Sequence, residues 1–103
     1  MNGYQVTFFT QQKREHDGLP VATWIVETAR RLGIGGATLM PGSEGFGHDG
    51  RSHSDNYFDF EDRPLLVVLA LTPDESDRLF SRIKESRLRV FYTKCETEFG
   101  FTT

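Results

Sequence analysis

The sequence predicts an α+β fold: a ferredoxin-like sandwich in the order βαββαβ, with a long loop after the second strand. Three observations predict it. Several short runs are rich in β-forming residues, two longer runs carry apolar residues at helical spacing, and the two kinds alternate in that order. The 103 residues match the common size of one domain, read across 1–103.

Residues 4–10 (YQVTFFT) alternate and give the first strand. Residues 11–18 (QQKREHDG) are polar and read as a loop. The charges at 13–17 are a solvated face, although their position after a strand end would let them approach a ligand. Pro20 then opens a helix, as proline does at a first turn. Val21, Ile25, Thr28, Ala29 and Leu32 recur at helical spacing, with Trp24 beside them. Arg30 and Arg31 suit the negative end of the helix dipole, and Gly33 suits its close.

Residues 37–40 (ATLM) form a short second strand, and Pro41-Gly42 marks a bulge or an edge position. After a glycine-rich stretch, residues 57–60 (YFDF) alternate again as the return arm of a hairpin, and residues 61–64 break it. Residues 65–71 (LLVVLAL) are the strongest strand. Thr72, Pro73 and Glu75 spell a helix start with a capping box, followed by a buried stripe at Ser76, Leu79, Phe80 and Ile83. Residues 89–94 are the last strand, and the tail from Glu96 carries Phe99 and Phe101.

Two right-handed crossovers place both helices on one face of the sheet. The run 65–71 is apolar at every position, so both of its faces should be covered. Phe8/Phe9 and Phe91/Tyr92 also put apolar groups on both sides of their strands. The helices cover one face, and another copy of the chain is the simplest cover for the other. We therefore expect a homo-oligomer formed through the open face.

Composition narrows the function classes. The longest apolar run, seven residues, cannot span a bilayer, and the N-terminal residues lack the pattern of a signal peptide. A net charge of −3 argues against nucleic acid as a partner. The single cysteine, Cys95, excludes an intrachain disulfide and suits a cytoplasmic protein in which it is a strand residue without chemistry.

Residues 44–53 read EGFGHDGRSH, within sixteen residues, 41–56, of little regular patterning. Long loops in small domains are usually functional or disordered. As an anion site, Gly45 and Gly47 would offer bare backbone N–H groups, Arg51 a bidentate charge, and His48 and His53 further donors. The alternative is a hairpin tip whose glycines only make turns. As a metal site, His48, Asp49, His53 and Asp55 are possible ligands, but nothing fixes a third and fourth position. No nucleophile elbow or Walker-type run exists, so no enzyme is expected. An RNA-recognition sheet has this element order, yet its basic-glycine-aromatic signature is missing and the third strand is aliphatic.

Gly3-Tyr4-Gln5-Val6, Leu32-Gly33, Gly36-Ala37-Thr38, Glu44-Gly45-Phe46-Gly47 and Gly50-Arg51-Ser52-His53 together resemble the PII-like family known as domain of unknown function 190. The resemblance covers almost the whole chain, with a weaker echo of the PII signalling proteins themselves. It implies a homotrimer whose three sheets pack inward. It also implies an adenine nucleotide in clefts between subunits, beside a T-loop that changes conformation to engage a partner. Some relatives respond to bicarbonate, and neighbouring fluoride-export genes in the family hint at a membrane transporter or channel as the partner.

The chain also departs from PII. The PII phosphate loop Thr-Gly-x-x-Gly-Asp-Gly-Lys is replaced by Lys84-Glu85-Ser86-Arg87-Leu88-Arg89, which points away from ATP, to AMP or ADP or to no nucleotide. The tyrosine modified in PII has no clear match, Tyr57 lying past the glycines, and Pro41 interrupts the second strand. The expected protein is a non-enzymatic sensor for signal transduction. Gly45 and Gly47 would act as donors, Phe46 as an anchor, and Arg51 with His53 as counter-charge. The alternatives are a divalent-metal or stress-tolerance trimer of the same architecture and a constitutive protein-binding scaffold.

Overall fold

The computed structural model describes residues 1–45 and 62–103. Its elements run β1 (Asn2–Gln11), β2 (Glu15–His16), β3 (Leu19–Pro20), α1 (Val21–Arg31), β4 (Thr38–Pro41), β5 (Pro64–Leu71), α2 (Pro73–Glu85) and β6 (Phe91–Glu98). Four strands form one antiparallel sheet in the order β4-β5-β1-β6. With two helices, this is the ferredoxin-like arrangement read from the sequence.

Local chemistry accounts for the helix limits. Thr72 accepts a hydrogen bond from the Glu75 amide through its hydroxyl at 3.2 Å, and the Glu75 carboxylate accepts from the Thr72 amide at 2.9 Å. That reciprocal pair is the expected capping box, with Pro73 at the first helical position. α1 starts one residue later than expected: Pro20 is its N-cap and Val21 its first helical residue. At the other end the Gly33 amide donates to the Arg30 carbonyl at 3.0 Å, and that of Ile34 to the Ala29 carbonyl at 3.1 Å. This Schellman pair needs a left-handed residue, and Gly33 supplies it at φ +78°.

The sheet separates its side chains by a period of two. Val6 and Phe8 of β1 and Val67, Leu69 and Leu71 of β5 are buried on one side. They pack against Val21, Ala22, Ile25 and Ala29 of α1 and Leu79 and Ile83 of α2. Burying each large member contributes about 1.5–3 kcal/mol. Phe80 is only partly buried, and its ring centroid lies 5.6 Å from that of Phe8 and 4.7 Å from that of Tyr92.

The opposite side is open. Register places Met40, Leu66, Phe9 and Phe91 in one row across the four strands. The next row is Thr38, Val68, Thr7 and Thr93, and beyond it lie Ala70, Gln5 and Cys95. No charged side chain from the strands stands on this face among the described residues. The charges of β6, on Lys94, Glu96 and Glu98, all register with the helix side.

Four expectations change. The second strand runs one residue later than expected, and Pro41 closes it in register with Leu65 instead of interrupting it. Residues 15–20 form a small hairpin, β2–β3, rather than a plain loop. Its turn residues Asp17 and Gly18 have φ +52° and +80°, the signature of a two-residue type I′ turn. β6 extends to Glu98, past Lys94, because Asn2 and Gly3 continue the ladder opposite Glu98 and Thr97. Residues 89 and 90 precede the strand instead of opening it. The expected hairpin arm at 57–60 lies outside the described residues.

Candidate functional site

β1 and β4 run toward one end of the sheet, and β5 and β6 start from it. The chain flanking the glycine-rich stretch is fixed at that end. The Gly42 amide donates to the Pro64 carbonyl at 2.9 Å, one step past the last ladder pair, Pro41 with Leu65. A Cβ on Gly42 would sit 3.1 Å from the Pro64 Cβ, a crowded contact that would require Pro64 to give way. Glycine at this position lets β4 approach the start of β5. Gly45 follows, with its own would-be Cβ 3.4 Å from the Pro64 Cγ.

Residues 12–14 bind this end together. The Gln12 amide donates to the Arg63 carbonyl at 3.0 Å, and the Lys13 amide to the Asp62 carboxylate at 3.0 Å. The Arg14 guanidinium donates to the Arg89 carbonyl, while the Arg14 carbonyl accepts from the Val21 amide at 2.9 Å. One short segment thus joins the start of β5, the α2–β6 turn and the first residue of α1. The sequence reading treated these charges as a solvated face and missed that role. A signal was present: Asp17-Gly18 demands a tight hairpin, which draws the preceding residues back over the strand ends. Within the hairpin, His16 meets the Trp24 ring edge to face at a centroid distance of 5.3 Å.

The α2–β6 turn occupies the place where PII resemblance calls for a phosphate loop. Here its amides are already engaged. Ser86 donates to Arg82 at 3.1 Å, Arg87 to Lys84 at 3.0 Å and Leu88 to Ile83 at 3.3 Å, all through backbone N–H groups to backbone carbonyls. Arg87 takes the left-handed position at φ +62°, where α1 uses glycine. This turn has no nest of bare amides to offer a phosphate. Cationic residues are nearby: Arg87 and Arg89 stand here, with Lys13, Arg14 and Arg63 on the adjoining segments.

Of the expected site residues, Gly45 sits at this end and is exposed. Phe46, Gly47, Arg51 and His53 lie outside the described residues, as do His48, Asp49, Asp55 and Tyr57. Among the described residues no cluster of three or more His, Cys, Asp or Glu side chains could hold a metal ion. No described helix is long and apolar enough to cross a membrane.

The opposite end of the sheet holds a shallow depression of about 470 Å³ lined by Asn2, Gly3, Tyr4, Pro73, Glu96 and Thr97. None of the expected site residues reaches it. The Tyr4 ring beside it carries the Lys94 ammonium 4.1 Å from its centroid.

Two solved structures share the fold. One, from Thermus thermophilus, is provisionally described as a PII-like signalling protein. It is 18% identical, with a TM-score of 0.64 over 94% of this chain and 88% of that one. The other is CPII from Thiomonas intermedia, bound to ADP and bicarbonate. It is 16% identical, with a TM-score of 0.58 over 94% of this chain and 89% of that one. At these identities the likeness establishes a PII-like fold. No curated protein matches the chain. The family of uncharacterized proteins termed DUF190 (Uncharacterized ACR, COG1993) matches residues 3–97, and the chain belongs to it.

Proposed function

We propose that this protein is a non-enzymatic, PII-like sensor working as a homotrimer. A small anionic ligand, AMP or ADP, binds in clefts between subunits at the end of the sheet where Gly45 lies. Gly45 and Gly47 donate backbone N–H groups, Phe46 anchors, and Arg51 and His53 supply counter-charge. Ligand binding shifts the population of conformations of residues 42–56, which then engage or release a partner protein, a membrane transporter or channel. The partner is met from the cytoplasm.

The observation that carries this reading is the uncharged open face of the sheet. A face with a Met40-Leu66-Phe9-Phe91 row and no strand charge among the described residues favours a second copy over water. Packing copies on it brings the ends of their sheets together and makes clefts there. The engaged amides of residues 86–88 support a ligand with fewer phosphates than ATP. CPII bound to ADP and bicarbonate supplies the precedent for the ligand class.

A micromolar ligand brings about 8 kcal/mol of binding free energy, but only its preference between two states of the protein can switch anything. Light scattering on the purified protein should give a three-chain mass. Calorimetry against AMP, ADP, ATP, cyclic nucleotides, bicarbonate and divalent metals should give micromolar binding to AMP or ADP. Arg51→Ala should weaken that binding by roughly tenfold to a hundredfold, the size of one charge-assisted contact, and leave the mass unchanged. Unchanged affinity removes Arg51 from the site, and a monomeric wild type at micromolar concentration removes the trimer.

A further inference from the structure

The open face of the sheet is divided into two halves of different chemistry. The half nearer Gly45 is the apolar row of Met40, Leu66, Phe9 and Phe91. Beyond it stand Thr7 and Thr93, paired across β1 and β6, with Thr38 at the far edge of the same row and Gln5 in the next. Thr7 is half-buried and the other three are exposed. No hydrogen bond from these four side chains is formed within the described residues. Their hydroxyl and amide groups are therefore unspent.

This second half is polar without being charged. A sheet face left in water carries lysine and glutamate as readily as threonine, and those charged groups almost never tolerate burial unpaired. Here Lys94, Glu96 and Glu98 of β6 all register with the helix side. The choice matters for what can cover the face. A hydroxyl or a primary amide carries both a donor and an acceptor, so a strip of them can satisfy a copy of itself. A lysine or a glutamate meeting its own copy is repelled. The composition therefore fits one occupant, a second copy of this chain that brings the same strip into reach. Apolar contact alone is non-directional and fixes neither the number of copies nor their offset. A covered hydroxyl without a partner costs affinity, which disfavours arrangements that leave the strip unpaired.

We propose that the strip of Gln5, Thr7 and Thr93 is hydrogen-bonded between copies and fixes their number and register, while the apolar row supplies the attraction. This rests on the homotrimer proposed above and names what limits it to three. Misplaced copies would still bury Phe9 and Phe91, but they would leave hydroxyls covered and unpaired. The strip acts as a buried polar residue does at the seam of a coiled coil, where it selects the oligomer state at a cost in stability.

The test is the mass distribution of full-length variants, measured by native mass spectrometry and sedimentation, with circular dichroism to confirm folding. The double variant Thr7→Val, Thr93→Val keeps side-chain shape and strand preference while removing both hydroxyls. It should associate at least as tightly as wild type, yet as a mixture of masses in place of a single three-chain species. Thr7→Lys should raise the subunit dissociation constant more than about a hundredfold, because a covered ammonium finds no counter-charge on the strip. Thr23→Val, at an exposed position of α1, should change neither reading. A double variant that remains a single three-chain species overturns the proposal and leaves the trimer standing, as does a Thr7→Lys chain that assembles like wild type. A double variant that folds but falls to single chains also overturns it, since the hydroxyls would then supply the attraction. A wild type of single-chain mass removes the assembly and the role of the strip together.

Discussion

The two faces of one sheet in this protein are built to different rules. On the helix side, Val6, Phe8, Val67, Leu69 and Leu71 are almost wholly buried within one chain. On the other side, Phe9, Met40 and Phe91 are 37%, 48% and 45% exposed, in register with one another and without a charge among them. Even the charged residues of β6 register with the helix side. An isolated sheet with one wet face would reverse that preference. The difference teaches that burial within a chain and apolarity of a face are separate facts. Helix-side residues should govern folding, and open-face residues should govern association.

That division can be broken. Phe8 has the larger stake: Phe8→Ala should lower unfolding free energy by about 3–5 kcal/mol in chemical denaturation, whatever the oligomeric mass. A loss below about 1 kcal/mol would mean that the helix-side core is not what holds the chain. Phe91→Glu comes next. It puts a charge in the aromatic row opposite Phe9, whose ring centroid lies 5.6 Å away. It should abolish assembly in light scattering while costing roughly 0.2–1 kcal/mol, the worth of one cross-strand pair, in the folded monomer. Retained assembly would show that the open face is not the contact. Arg87→Gly is the smallest and opposite in sign. Relieving a left-handed arginine recovers about 1–2 kcal/mol, offset by about 0.5–1 kcal/mol of added chain entropy. The melting temperature should rise by a few degrees with no change in mass.

Local signals were legible and distant ones were not. The Thr72–Glu75 capping box and the Gly33 helix end were read correctly because each is completed within a few residues. The fold class was legible because the order and spacing of periodic segments encode it. The extension of β6 through residues 95–98 (CETE) was not, since these residues have weak strand preference and pair only because Asn2 and Gly3 meet them from the other end of the chain. The β2–β3 hairpin was legible in Asp17-Gly18 and hidden by the polarity around it. Of the expected site, only Gly45 falls within the described residues, and a cleft between copies cannot be assembled from spacing along one chain. The engaged amides of residues 86–88 were half legible: the missing glycines were visible, whereas the Schellman turn that takes their place was not.

The central place of β1 also governs when this protein can fold. β1 pairs with β5 on one side and β6 on the other, with Asn2 opposite Glu98. β1 therefore waits for residue 98 before its second edge is covered. Folding must close a loop spanning nearly the whole chain, the kind of nonlocal pairing that slows a small domain and prolongs exposure of its strands. Until then a nascent chain presents the bare edge of β1 and its phenylalanines together, so demand on holding chaperones should peak late in synthesis. Ribosome-bound chains halted after α2 should resist protease far less than chains extended past Glu98.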